Sequence, residues 1–202
     1  MQETITILGY IQQMEHLNNK YLTGKCLVAT PFIDDERFVD TLVYICSHGK
    51  DGAMGFIVNR KLKDFSFADL AVKMPLNPNL NLDSMFLYQG GPIEKIRGFV
   101  LHSSEYFKQG TLKIDNNIAV SSSLDVLTDI AYGIGPENNL IALGYSGWEP
   151  LQLEKELIHN QWLVVDAHKD LLFNTPDELK WERALDETKI DFNRYINITG
   201  YA

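Results

Sequence analysis

The 202-residue sequence predicts a single α+β domain, a mixed β-sheet with flanking helices. Three observations lead there. Strand-like and helix-like segments are interspersed without the regular alternation that builds a doubly wound parallel sheet. Several apolar runs are joined by short glycine- or asparagine-rich turns, which imply hairpins and antiparallel pairing. The length suits one large domain and suffices to bury a sizeable core.

The chain is organised around Leu42–Leu62, LVYICSHGKDGAMGFIVNRKL. Leu42–His48 is rich in β-branched and aromatic residues, and Ala53–Asn59 is apolar again. Between them Gly49-Lys50-Asp51-Gly52 supplies residues that accept positive φ, so the stretch reads as a hairpin. Alternation puts Leu42, Tyr44, Cys46 and His48 on one face of the first strand. Pairing His48 with Ala53 across a four-residue loop sets Cys46 opposite Gly55, which leaves room around the thiol.

Ahead of the hairpin, residues 1–21 form an N-terminal extension. Thr4–Leu22 carries a helical pattern through Ile7, Tyr10, Ile11, Met14 and Leu17, and Met14 reads equally as an alternative start that would make residues 1–13 an artefact. Cys26–Ala29 is the first buried strand, ended by Thr30-Pro31. Asp34-Asp35-Glu36 is a solvated acidic corner that caps the next segment.

After the hairpin, Ser66-Phe67-Ala68-Asp69 is close to a capping box, with Asp in the place of Glu, and starts a helix to about Met74. Pro75 and Pro78 end it and open an irregular loop through Asn77–Asp83. Met85–Gln89 and Gly98–His102 are strands, with a tight Gly90-Gly91-Pro92 turn after the first. Gly110–Ile114 and Ile118–Ser122 flank Asn116-Asn117 as a second hairpin. Ser123 caps a helix over Leu124–Tyr132, closed by Gly133.

Leu140–Leu143 is a buried strand. Gly144-Tyr145-Ser146-Gly147-Trp148 reads as a turn into a helix with Pro150 in its first turn and Leu153, Leu157 and Ile158 on its apolar face. Trp162–Val165 is a further strand. Thr175-Pro176-Asp177-Glu178 reads as a capping box with proline at the first helical position, starting a helix to about Thr188. The domain spans 22–189, and 190–202 is a tail.

Composition narrows the function. The net charge of −9 and pI near 5.0 argue against unaided binding to nucleic acid or to an anionic membrane, because phosphate needs clustered Lys and Arg. No apolar run approaches the roughly 20 residues of a membrane helix, and the start has no basic region followed by an apolar one. A cytoplasmic protein is expected. Cys26 and Cys46 are too few for a disulfide scaffold and read as two reduced thiols.

Few residues point to chemistry. Cys46 is a small core residue or a thiolate activated by His48 or His102. Gly90-Gly91-Pro92 with Arg97 is a tight turn or an anion nest beside a guanidinium. Ser146 lacks the second glycine of a nucleophile elbow, since Trp148 stands there. The five histidines form no metal-binding spacing, so no metal and no cofactor are expected.

Several stretches together resemble the AlgH-type (YqgE/AlgH) family. They are CLVATP (Cys26–Pro31), DERF (Asp35–Phe38), LVYICSHGKDGAMGFIVNR (Leu42–Arg60), QGGPIEKIRGFVLH (Gln89–His102), ALGYSGWEPLQLEKEL (Ala142–Leu157), NQWL (Asn160–Leu163) and LFNTPDELKWERAL (Leu172–Leu185). The cysteine of the family's YICEH pattern falls on Cys46, with Ser47 in place of the glutamate. Lys61 replaces a proline that often follows the Asn-basic pair. The resemblance implies a bacterial, cytoplasmic protein with a compact α+β fold around a partly barrel-like sheet. The family's label of transcriptional regulator comes from a link to alginate synthesis and not from a DNA-binding module.

The expectation is therefore a non-enzymatic regulatory or interaction protein that affects transcription indirectly, through a protein partner or a small anionic ligand. Its surface would lie around Cys46, His48, Gly90, Gly91, Pro92, Arg97 and His102. The alternative is a thiol-dependent enzyme or redox sensor using Cys46, with His48 or His102 as base and Arg97 as anion holder.

Overall fold

The computed structural model describes residues 21–72, 82 and 85–190. The predicted helix over Thr4–Leu22 falls almost wholly outside them, as do the tail after Ile190 and most of the Asn77–Asp83 loop. Among the described residues nine strands form one sheet: β1 (Lys25–Ala29), β2 (Leu42–Gly49), β3 (Gly52–Ile57), β4 (Leu87–Gln89), β5 (Ile93–Ser103), β6 (Thr111–Lys113), β7 (Ile118–Ser121), β8 (Asn139–Trp148) and β9 (Trp162–Asp166). Four α-helices accompany them among the described residues: α1 (Phe67–Ala71), α2 (Leu124–Ala131), α3 (Gln152–Ile158) and α4 (Asp177–Glu187). The strand order is β6-β7-β5-β8-β3-β2-β1-β9, and β4 pairs with β8. Only the β4–β8 pairing is parallel among these, so the sheet is mixed as predicted.

The sheet curls into a half-barrel around one interior. Alternate residues of strands from both ends of the order share it: Ile118 and Val120 of β7, Phe99 and Leu101 of β5, Cys26 and Val28 of β1, Leu163 and Val165 of β9. Gly24, just before β1, lies against the Asp115 carboxylate of the β6–β7 turn, so the two ends of the order approach each other. That carboxylate also closes the predicted hairpin by accepting from the N–H groups of Asn117 (2.6 Å) and Ile118 (2.9 Å). Helix α4 brings Ala184 to the interior.

The outer face carries two separate apolar layers. Leu153 and Leu157 of α3 cover Leu27, Val43, Ile45 and Val164. Phe67 of α1 and Val126, Leu127 and Ala131 of α2 cover Leu87, Val100 and Ile141. Burial on both faces explains why β1 and β9 read as unbroken apolar runs.

Local signals worked where the chain pairs with itself at short range. The Ser66–Asp69 capping box is present, with the Asp69 N–H donating to Ser66 Oγ (3.2 Å) and Asp69 accepting from the Ser66 N–H (2.8 Å). Gly133 closes α2 in a positive-φ conformation.

Four expectations are corrected. Gly144–Trp148 is not a turn into a helix: it continues β8, which pairs first with β5 and then, through Gly147 and Trp148, with β3. Ile158 leaves the apolar face of α3 and is 72% exposed, because the short helix ends there. Helix α4 begins at Asp177 with Pro176 before it, and no capping box forms. A π-helical turn over Asp170–Asn174 precedes it and takes the Thr175 hydroxyl, which donates to the Asp170 carbonyl (2.9 Å).

The fourth concerns the central hairpin. His48 does pair with Ala53, but Gly49 pairs with Gly52 as well, leaving a two-residue loop. A bulge falls between Ile45 and Ser47, so Gly55 lies opposite Ile45 and Cys46 has no partner residue in β3.

The kink of β8 depends on glycine. A Cβ on Gly91 would meet the Tyr145 carbonyl carbon at 2.1 Å, and Gly144 has φ of +72°. Backbone cannot yield as a side-chain tip can. Replacing Gly91 with alanine is expected to destabilise the protein by about 3 kcal/mol, read as a lower urea midpoint. An unchanged midpoint would mean the two strands separate easily.

Candidate functional site

The bulge separates the residues that alternation had grouped. Leu42, Tyr44 and Cys46 face the interior. One extra residue in the strand sends His48 to the outer side, against Leu22 and α3. There its Nδ1 accepts from the Leu22 N–H (3.0 Å), which leaves the proton on Nε2 to meet Glu154 Oε1 at 3.2 Å. His102 also faces away from the thiol, since Phe99 and Leu101 are its inward neighbours. Its fully buried ring lies 2.9 Å from the Ser103 carbonyl through Nδ1 and 2.9 Å from Ser121 Oγ through Nε2. Burial lowers its pKa, against the smaller opposing effects of the Ser103 carbonyl and Glu105.

Neither His48 nor His102 therefore shares the face of the sheet that carries Cys46. Its Sγ donates to the Met54 carbonyl (3.3 Å), and burial pushes the thiol up to about 12. Cys26 is wholly buried in the same interior, with its thiol pushed up still further, and both cysteines are free.

In the Gly90–Pro92 segment the Gly90 N–H is already engaged. The Gly90 N–H donates to the Leu143 carbonyl (2.9 Å), and its own carbonyl accepts from Ile57 N–H (2.8 Å) and Ser146 Oγ (3.2 Å). The glycines are there because their backbone crosses β8 at contact distance. Arg97 pairs with Glu94 (3.0 Å) on the exposed excursion between Ile93 and Gly98 and lies over the Phe99 ring.

Pro92 and Ile93, however, form the rim of a cleft that sequence reasoning did not assemble. It encloses about 190 Å³. Trp148 at the end of β8, Trp162 at the start of β9 and Phe38 in the 3-10 turn Glu36–Phe38 make its aromatic wall. The Phe38 ring stacks on Trp148 at 6.4 Å and meets Trp162 edge-on at 5.5 Å. Both indole N–H groups donate to one atom, Glu156 Oε2, at 2.7 Å each. Gln152 of α3 donates to the other oxygen at 2.9 Å. Across the cleft Arg37 forks onto Asp35 at 2.6–3.0 Å, and its hydrogen bonds hold the Asp35 carboxyl below the usual range. Four stretches that carried the resemblance meet here: DERF, QGGPI, GYSGWEPLQLEKE and NQW. A usable signal was the placing of Glu156 between two tryptophans. The Asp34–Glu36 corner does cap the next segment, with the Arg37 N–H donating to Asp35 Oδ1 (3.0 Å), but capping alone does not reveal the cleft behind it.

A second cluster was also missed. Lys180, almost wholly buried, donates to the Val58 carbonyl (2.8 Å) and to Asp177 Oδ1 (2.6 Å). Asp177 Oδ2 accepts from Lys61 (2.8 Å) and from the Tyr88 hydroxyl (3.0 Å). This network pins the first turn of α4 to the end of β3. Burial alone would raise the Asp177 carboxyl, but hydrogen bonds from Lys180, Lys61 and Tyr88 outweigh it and hold the pKa low. Among the described residues no cluster of His, Cys, Asp and Glu is arranged to hold a metal ion, and no helix is long and apolar enough to cross a membrane.

Comparison with known proteins places this geometry in context. A family model described as AlgH-like matches residues 26–193. A UPF0301 protein of Rhodospirillum rubrum is 44% identical over 182 residues, covering 90% of this chain and 95% of that protein. Another from Afipia carboxidovorans is 40% identical over 210 residues, the whole of both chains. The solution structure of the AlgH protein from Pseudomonas aeruginosa superposes with a TM-score of 0.74 at 38% identity, over 91% of this chain and 96% of that one. A crystal structure from Corynebacterium diphtheriae shares the fold, with a TM-score of 0.67 at 18% identity over 84% of this chain and 88% of that one.

Two outcomes follow from the site chemistry. With its thiol at about 12, Cys46 should react with iodoacetamide at pH 8 on the order of a thousandfold more slowly than a free thiol, and readily only after unfolding. Rapid labelling of the native protein would overturn this. Asp177, with a folded pKa below the unfolded one, stabilises the fold above about pH 4 and ceases to do so as pH falls through its folded value. Asp177→Asn should lower the urea midpoint at pH 7 and flatten its fall between about pH 5 and pH 2. Parallel curves would refute it.

Proposed function

The chain belongs to the AlgH-like family, and from that premise we propose that it is a non-enzymatic regulatory protein that binds a protein partner through the Phe38–Trp148–Trp162 cleft. The observation that carries this reading is the size and build of the cleft. At about 190 Å³ it is smaller than the roughly 300–1,000 Å³ of small-molecule sites. It has room for one inserted side chain. Aromatic walls with a few placed polar groups are what a protein–protein anchor pocket needs.

The thiol alternative has less support. A nucleophile needs a base within hydrogen-bond reach, and both candidate histidines face away from Cys46 with their ring nitrogens engaged. A small anionic ligand also has less support, because Arg97 is matched by Glu94 and the Gly90 N–H is engaged in the sheet. Any effect on transcription would be indirect: a protein of net charge −9 acts on DNA through a partner that supplies the cations.

A photoreactive residue tests this in cells. Placed at Gln152, on the cleft, it should yield one defined protein adduct that Ile93→Asp abolishes. Placed at Lys113, on strand β6 and outside the cleft lining, it should not. Equal adducts at both positions, or none at Gln152, would overturn the reading.

A further inference from the structure

We infer that the side chain this cleft receives is an arginine, presented by a protein partner and held by Glu156 against the aromatic wall. The inference rests on the partner-binding reading and adds the chemistry of what is bound.

Charge is the first argument. The cleft is lined by two carboxylates, Asp35 and Glu156, and one guanidinium, Arg37. Asp35 and Arg37 are a matched fork. The nearby Arg60 is turned to the backbone, donating to the carbonyls of Arg37 (2.6 Å) and Val39 (2.7 Å). Glu156 is left with donors that are all neutral, two indoles and an amide. The lining thus carries one net negative charge, in a chain of net −9. A cation is favoured over an anion on both the local and the molecular scale.

The second argument is hydrogen-bond capacity. A carboxylate offers about four acceptor positions. Glu156 Oε2 uses two on the indoles and Oε1 uses one on Gln152, so one position remains on Oε1. The two indoles fix that oxygen's direction before any ligand arrives, which removes an ordering penalty from binding.

The third argument separates arginine from lysine. A guanidinium is planar and weakly hydrated, stacks on aromatic faces and donates in the same plane. Phe38, Trp148 and Trp162 border the cleft with small parts of otherwise buried rings (9%, 6% and 2% exposed), an apolar strip beside the remaining acceptor that suits that planar shape. A lysine ammonium presents a compact charge that keeps its water more tenaciously.

The test follows the indole N–H signals of the full chain by NMR. The probe is the tripeptide N-acetyl-Gly-Arg-Gly amide, added to about 20 mM, where a millimolar site saturates. Its control is the same peptide carrying citrulline, the uncharged isostere of arginine. The Trp148 and Trp162 signals should move and saturate, while Trp181, which packs on the interior face of the sheet and donates to the carbonyl of Ala29 opposite Trp162, should move far less. Citrulline should bind about tenfold more weakly or not at all, and Glu156→Gln should abolish the arginine response with the spectrum still dispersed. Equal responses to arginine and citrulline, or no movement of the two signals, would overturn the inference. The citrulline comparison decides even if Glu156→Gln does not fold. A partner adduct at Gln152 alongside a failed arginine titration would leave partner binding standing and remove arginine.

Discussion

The architecture depends on one backbone-to-backbone contact. Gly90 and Gly91 cross β8 at Gly144 and Tyr145 so closely that a Cβ on any of the three glycines would sit within 3 Å of main-chain atoms. That contact lets β8 bend: its first half pairs with β5, and its last residues pair with β3. The bend divides the outer face into two layers, one under α3 and one under α1 and α2. It also delivers Trp148 beside Trp162 and sets Pro92 and Ile93 at the mouth of the cleft. The glycine-proline motif matters as a close crossing between strands, and the cleft it borders is next to it.

A single inserted residue acts with comparable reach in β2. Because side chains alternate with a period of two, the bulge at Cys46 moves everything after it to the other face. Cys46 stays inside with Tyr44 while His48 joins Glu154 and Leu22 outside. The same residues without the bulge would bring a thiol and an imidazole to one face, the starting point for nucleophilic chemistry. With it, His48 serves as a tie that holds the chain at Leu22 to the sheet.

The cleft and the Lys180 network use charge in opposite ways. Around Asp177 two ammonium groups and a hydroxyl converge on one carboxylate, so its negative charge is more than matched by cations of the chain itself. Removing one member of such a buried set leaves another unpaired, which is why it reads as structure. Around Glu156 the donors are neutral, so the negative charge is oriented but not cancelled.

The sequence by itself determined what depends on neighbours in the chain. The β2–β3 hairpin, the β6–β7 turn at Asn116-Asn117, the capping box at Ser66 and the buried strand at Cys26–Ala29 were legible because turn chemistry and apolar pattern act over a few residues. The family resemblance was legible too, since it rests on the order of short stretches. Tertiary structure decided the rest. The Cys46 bulge is a register shift inside the β2–β3 ladder, and the β8 kink arises from contacts between strands far apart in sequence; no alternating period records either. The capping signal at Thr175 was overridden by the preceding π-helical turn. Glu156 became a candidate site residue only when two tryptophans from different strands aimed their N–H groups at one of its oxygens, a convergence that exists in space and not along the chain.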